Sequence, residues 1–300
     1  MKWSRARTHF QDYLRIERGL SANSIVNYGL DIKKMTLWLK ANGLDTPPTE
    51  ITEETLQKAI YDVGKTVGPK SQNRFISGLK SFFDYLIFEG LRETNPVDLV
   101  ERPKLGRKLP STLSTQEVDA LIAAINLGTP QGERNRAMLE TLYGCGLRVS
   151  ELVNLRLSDL FFNEGFIKVT GKGDKQRFVP IAAHTQKYID LYRTHVRVRQ
   201  KIHPGFSDIL FLNRRGRALG RAMVFTIVKQ LAENVGIDKK ISPHTFRHSF
   251  ATHLLENGAN LRAIQQMLGH ESITTTEIYT HIDKKHLAAV MEKYHPHRKG

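Results

Sequence analysis

Apolar residues recur at helical spacing through the first hundred positions and then give way to a mixed pattern. Residues 4–18 set Phe10, Leu14 and Ile16 among charged positions, and Gly19 closes the stretch. Ser21 or Asn23 is placed to cap a second helix, which lines Tyr28, Ile32, Met35 and Leu39 along one stripe before Gly43. Thr52 opens a third helix carrying Leu56, Ile60 and Val63, and residues 70–89 make a fourth with Phe75, Leu79, Phe82, Phe83 and Leu86 facing inward. Four helices on short loops predict a small bundle.

Beyond residue 110 the period changes twice. Ser114-Thr-Gln-Glu117 is a capping-box pattern ahead of a helix, and residues 133–143 and 148–157 are also helical in period. Residues 165–170 and 177–181 then alternate as short strands about the turn 171–175, and residues 208–212 read as a further strand. Helical spacing returns at 184–200, 221–235, 243–257, 260–268 and 273–281, and residues 284–293 form a short amphipathic tail helix through Leu287, Val290 and Met291. The expected fold class is mainly α: an N-terminal helical bundle plus an α-rich second domain with a small antiparallel β-sheet. The expected division is a domain over 1–104, a basic linker over 105–113 carrying Gly106 and Pro110, and a second domain over 114–300.

Charge narrows the partners. Lys and Arg total 45 against 30 Asp and Glu, a net charge of +15, of which residues 1–110 carry about +5 and the rest about +10. Both halves are basic and both interleave acidic residues, which points to a polyanion such as nucleic acid meeting folded surfaces rather than a disordered tail. Lys104 at the edge of the linker and Arg107 and Lys108 within it are candidate phosphate contacts, as are Lys175 and Arg177 beside the strand turn. Cys145 is the single cysteine and sits among apolar residues, so it is expected to be a small buried side chain in a reducing cytoplasm. No apolar run reaches membrane-spanning length and the N-terminus has no signal-like hydrophobic region; the expected protein is soluble and intracellular, without membrane contact.

The candidate chemistry lies in five short stretches. Ser242-Pro243 starts a helix, and His244 and Arg247 stand three residues apart near its N-terminus, where an anion is favoured. Arg148 follows Gly144-Cys-Gly-Leu147, whose glycines would let a ligand approach the backbone, and Glu151 is spaced to hold its guanidinium. Lys172 lies in the Gly-Lys-Gly turn between the two strands, suited to a phosphate clamp or a proton donor. His270 follows Gly269, an expected helix C-cap, and Tyr279 stands nine residues further on. Two arginines, a lysine and two histidines suit a phosphoryl group, and such a cluster would lower the pKa of a tyrosine nucleophile.

In order and spacing, Gly-Leu-Arg-Val-Ser-Glu-Leu, Gly-Lys-Gly, Ser-Pro-His-Thr-Phe-Arg-His, Leu-Gly-His and Ile-Tyr-Thr-His resemble the signature boxes of the tyrosine recombinase, or phage integrase, family. Phe-Ala-Thr-His-Leu-Leu at 250–255 resembles its Xer branch, and the likeness runs through essentially all 300 residues. The resemblance implies a SAM-like core-binding domain at the N-terminus and a catalytic domain after it. It implies that Tyr279 attacks a DNA phosphodiester to give a 3′-phosphotyrosyl bond and that Arg148 and Arg247 brace the phosphate. Lys172 is then the general acid, with His244 and His270 as donors or proton carriers. Neither ATP nor a metal or other cofactor is implied.

It further implies strand exchange on double-stranded DNA by a homo- or hetero-tetramer across two sites, with a second Xer recombinase as one form of partner. Resolution of chromosome or plasmid dimers at cell division is the implied setting, with a DNA translocase as a candidate activator; in the family such a tail helix docks on a neighbouring protomer, and packing on its own chain is the alternative. An integrase of a phage or mobile element shares the chemistry; the chain opens directly on the bundle, as expected of the simpler Xer type. A non-catalytic DNA-binding protein would keep the charge without needing all six active positions. A metal-dependent nuclease could draw on His244, His248 and His253, but Arg247 stands among them and the boxes supply no acidic ligand set.

Overall fold

The computed structural model describes residues 1–104, 111–269 and 281–298, which fall in two compact units, Met1–Lys108 and Leu109–Gly300. The first is a four-helix bundle: α1 (Trp3–Ile16), α2 (Ala22–Ala41), α3 (Glu53–Thr66) and α4 (Pro69–Phe88). Two of the starts follow from side-chain caps. Ser21 Oγ accepts from the Ser24 amide at 3.4 Å and Thr52 Oγ1 from the Thr55 amide at 3.3 Å, satisfying amides that the first turn leaves free. Phe10, Leu14, Ile32, Met35, Phe75, Leu79, Phe82 and Phe83 make one apolar core. Ile16 does not join it: two positions beyond Leu14 it has turned to the opposite side of α1 and is 75% exposed.

Asp31 is the polar exception inside this core. Its carboxylate is buried and meets Arg74 Nη1 at 2.8 Å, and burial, which outweighs the nearby Arg74 and Lys34 charges, pushes its pKa up to about 6.

In the second unit α5 (Thr115–Ala123) begins with the expected capping box: Ser114 Oγ accepts from the Glu117 amide at 3.2 Å, and Glu117 Oε2 accepts from the Ser114 amide at 2.7 Å. It is followed by α6 (Pro130–Gly144) and the single-turn α7 (Val149–Val153). A three-stranded antiparallel sheet comes next: β1 (Leu160–Phe161), β2 (Phe166–Thr170) and β3 (Gln176–Pro180), paired in that order with Phe166 opposite Pro180 and Thr170 opposite Gln176. β1 is only two residues long, too short to carry a readable alternation.

After α8 (Ala183–Leu191) the chain passes through a π turn and a 3-10 turn, then enters α9 (Arg221–Asn234), α10 (Pro243–Glu256), α11 (Leu261–Leu268) and α12 (His281–Tyr294). The helix expected at 273–281 falls almost wholly outside the described residues. A second core, with Leu139, Leu142, Val179, Phe211, Phe246 and Phe250 among its members, holds these elements together. The tail helix adds Leu287, Val290 and Met291 to this same core. Cys145 is fully buried there, and burial pushes its thiol up to about 12.

Two further expectations need correction. Residues 208–212 are not a strand: they make isolated bridges, Arg156 with Ile209 and Leu212 with Ala218. The Leu210 amide donates to Leu155 O at 2.8 Å and the Leu157 amide to Asp208 O at 2.7 Å, which makes a single bridge, and the Ile209 carbonyl is taken by the Arg197 side chain. The Gly144–Gly146 stretch does not open the backbone to a ligand. A Cβ at Gly144 would come within 2.4 Å of Thr185 Oγ1, and one at Gly146 (φ 58°) within 2.5 Å of Phe250 Cδ1, so both glycines make room for the protein's own packing. At the α10 start, as expected of Ser242-Pro243, the Ser242 amide donates to Thr245 Oγ1 at 3.0 Å.

Candidate active site

The site is assembled around one carboxylate. Arg148 immediately precedes α7, and its main-chain amide donates to Glu151 Oε2 at 2.8 Å, which ties the first turn to the Glu151 side chain. The Arg148 guanidinium returns to the same carboxylate, Nη1 to Oε1 at 2.8 Å. Glu151 is buried, and burial alone would raise its pKa; the hydrogen bonds and charges of Arg177 and Arg148 outweigh this and hold it below the ordinary range.

Arg177 was expected at the surface as a contact to a phosphate backbone, and here the sequence expectation fails. It lies on β3 at an inward position with Val179, 6% exposed, and grips Glu151 with both terminal nitrogens, Nη1–Oε1 2.7 Å and Nη2–Oε2 2.9 Å. A guanidinium at an inward strand position cannot stay unpaired in an apolar interior, and Glu151 is its partner. The signal was present in the alternation: Arg177 shares the parity of Val179.

Arg247, on the second turn of α10, is also buried. Its Nη1 donates to Gly146 O at 2.8 Å and its Nη2 to Leu268 O at 2.6 Å, with Glu151 Oε2 3.9 Å from Nη1. Burial first, then the neighbouring Arg148 and Arg177 charges, brings its pKa down to about 10, so it stays cationic at neutral pH. The end of α11 completes the group. Met267 O accepts from Arg177 Nε at 2.8 Å, Leu268 O from Arg247 and Gly269 O from Arg148 Nη2 at 3.3 Å. Three guanidiniums thus cap the carbonyl end of one helix, the end at which cations are stabilised. Gly269 takes the left-handed conformation (φ 65°) expected of a C-cap, and a Cβ there would meet Arg177 Cδ at 2.9 Å.

The cluster therefore holds three arginines against one carboxylate, a net positive group. Arg148 is its open member, with 36% of its side chain exposed. Arg247 uses one donor of each terminal nitrogen on a carbonyl and keeps the others, as a fork of donors for an anion requires. His244 stands exposed on the first turn of α10, one turn before Arg247. Lys172 is carried by a single 3-10 turn between β2 and β3, closed by the Gly171 amide donating to Lys175 O at 2.8 Å. The root of this turn lies against the cluster: a Cβ on Gly171 would sit 3.7 Å from Glu151 Oε1 and 3.9 Å from Arg177 Nη1.

His270 and Tyr279 lie outside the described residues, as do Arg107 and Lys108; Gly269, whose carbonyl Arg148 holds, is the residue before His270. Lys104 and Lys175 are exposed. His253, one member of the histidine set weighed for a metal, is instead buried against Tyr143, its Nδ1 2.8 Å from the hydroxyl, while His244 and His248 are exposed. No helix among the described residues is long and apolar enough to cross a membrane.

Comparison with known proteins identifies the family. Residues 111–286 match the phage integrase family and residues 8–90 its N-terminal SAM-like domain. The chain is 40% identical over 288 residues to tyrosine recombinase XerD of Listeria monocytogenes, covering 96% of this chain and 97% of that protein. It is 42% identical over 290 residues to tyrosine recombinase XerD of Oceanobacillus iheyensis, with 96% and 97% covered. In fold it is similar to the XerH site-specific recombinase bound to palindromic difH substrate, with a TM-score of 0.70 at 23% identity over 95% of this chain and 84% of that one. The chain accordingly belongs to the phage integrase family and is a site-specific tyrosine recombinase of the Xer type, an enzyme that cleaves and rejoins DNA.

Proposed function

We propose that Tyr279 is the nucleophile of this recombinase and that the arginine cluster binds the phosphate it attacks. The Tyr279 oxygen forms a bond to phosphorus as the bond from phosphorus to the 5′-oxygen breaks, leaving a 3′-phosphotyrosyl link and a 5′-hydroxyl. Lys172 gives the proton to the leaving 5′-oxygen. Arg148 and Arg247 stabilise the charge on the non-bridging oxygens through spare N–H donors, and His244 and His270 donate to or relay protons from the same group. A 5′-hydroxyl from the partner strand then attacks the phosphotyrosine, the Tyr279 oxygen leaves, and the phosphodiester count is unchanged. The guanidiniums supply the charge stabilisation, so the reading calls on no ATP, metal or other cofactor.

In this reading residues 1–104 are a DNA-binding domain ending in Lys104, residues 105–113 a basic strap, with Lys104, Arg107 and Lys108 all near phosphates, and residues 114–300 the catalytic domain, with Lys175 as a further contact. Four protomers act on two duplexes, as one kind of chain or paired with a second Xer recombinase. The work is resolution of chromosome or plasmid dimers in the cytoplasm at cell division, with a DNA translocase as activator.

The observation that carries the proposal is that Glu151 gathers Arg148 and Arg247, a hundred residues apart, beside the root of the Lys172 turn and at the residue before His270. The test is nicked suicide DNA carrying a candidate chromosomal recombination site, incubated in chelator with and without a second recombinase. A denaturant-resistant adduct in chelator supports the reading. Strand cleavage that needs a divalent metal and leaves no adduct overturns it.

A further inference from the structure

Away from the arginine cluster, a second set of ligand-bearing side chains gathers where the end of the chain meets α6 and α8. Glu140, on α6 and 2% exposed, has His184 Nε2 3.2 Å from Oε1 and His297 Nδ1 3.2 Å from Oε2. The ligand atoms of the three residues all lie within 4.8 Å of one another. The other nitrogen of His297, Nε2, is 2.8 Å from Asp119 Oδ1. Aromatic rings wall the group: Tyr188 packs 5.0 Å from the His184 ring and Tyr143 5.0 Å from the His297 ring.

We propose that Glu140, His184 and His297 form a binding site for a zinc-class divalent cation, which fastens the end of the chain to the body of the second unit.

The donor set is two imidazoles and one carboxylate, a combination that zinc takes with a fourth position left to water. Bonds of 2.0–2.2 Å in a tetrahedron set donor atoms about 3.3–3.5 Å apart; His184 and His297 each stand 3.2 Å from Glu140, on opposite oxygens, so a small turn of the carboxylate would close the set on one ion. His297 faces a carboxylate at each ring nitrogen, which is satisfied either by an imidazolium donating from both or by a metal-bound neutral ring, and the zinc titration separates the two. A cation at Nδ1 uses the lone pair there while Nε2–H stays on Asp119, the arrangement in which a second carboxylate orients a metal-bound histidine. The three ligands come from separate parts of the chain, α6, α8 and the turn Pro296–Arg298 after α12, so the ion would cross-link residues 157 positions apart. The site uses no member of the arginine cluster and stands independently of the role given to Tyr279.

The test is zinc titration by calorimetry on untagged, chelator-stripped full-length protein, with cobalt absorption as a second probe of tetrahedral ligation. The expected result is one zinc per chain, weakened at least about 100-fold in both His184→Ala and His297→Ala and about 10-fold in Asp119→Asn. Zinc should also slow amide exchange across 281–298 in the parent chain and not in His297→Ala. Circular dichroism shows that each variant is folded. Absence of stoichiometric binding by the parent chain overturns the proposal, and so does zinc binding that His184→Ala and His297→Ala, both folded, leave unchanged.

Discussion

Arg177 holds Glu151 through two parallel hydrogen bonds of 2.7 and 2.9 Å, and in doing so fixes the carboxylate on which Arg148 also rests. The residue that orders the site is thus a strand arginine with no free face. Replacing Glu151 with Gln leaves three guanidiniums facing one another without a countercharge, two of them buried. The expected loss is about 3–5 kcal/mol of stability, as when one partner of a buried ion pair is removed. Calorimetric unfolding of the variant checks this; an unchanged melting temperature would show that the carboxylate does not hold the cluster.

Arg247→Lys should fold and fail in chemistry. A single ammonium can reach Gly146 O or Leu268 O, but it cannot bridge both carbonyls and still present a fork to a phosphate. The expected drop in adduct formation is about 10²–10³-fold, with DNA affinity changed much less. Gel shift and suicide-substrate assays on the same preparation separate the two effects.

Gly146→Ala tests the corrected role of that glycine. The new methyl group meets Phe250 in a left-handed backbone position, so the variant should lose about 1–3 kcal/mol. Because the Gly146 carbonyl receives Arg247, its activity should fall further than that of a distant variant with the same melting temperature.

Asp31 gives the first unit an unusual pH dependence. Its folded pKa, about 6, lies above the ordinary 3.8, so the folded chain binds this proton more tightly than the unfolded chain. Its stabilising contribution is therefore complete below pH 3.8 and is lost as pH rises through 6, by ~2–3 kcal/mol. Trp3 and Trp38 are the only two tryptophans and both lie in this unit, so their fluorescence in urea titrations reports it alone. The slope between pH 4 and 7 should flatten in Asp31→Asn.

Local signals in the sequence carried far. Ser21, Thr52 and the Ser114–Glu117 box each mark a helix start by contacts within three residues, and the Gly171–Lys175 turn joins two strands that pair across it. The Arg148–Glu151 contact spans one helical turn and was legible for the same reason. What the sequence hid is set by contacts across long separations. Arg177 meets Glu151 and Met267, 26 and 90 residues away, and only the parity of β3 hinted that it points inward. Gly144 and Gly146 look like an opening for a ligand until Thr185 and Phe250 are seen against them. Residues 208–212 have the composition of a strand but meet Leu155 and Arg197 instead of a ladder.

The central claim is that Tyr279 becomes covalently linked to DNA. Mass spectrometry of the protease-digested adduct tests it most directly. The account predicts a phosphate-linked nucleotide on the peptide containing Tyr279, and no adduct from Tyr279→Phe. A nucleotide mapped to any other residue, or an adduct that survives in Tyr279→Phe, would contradict it.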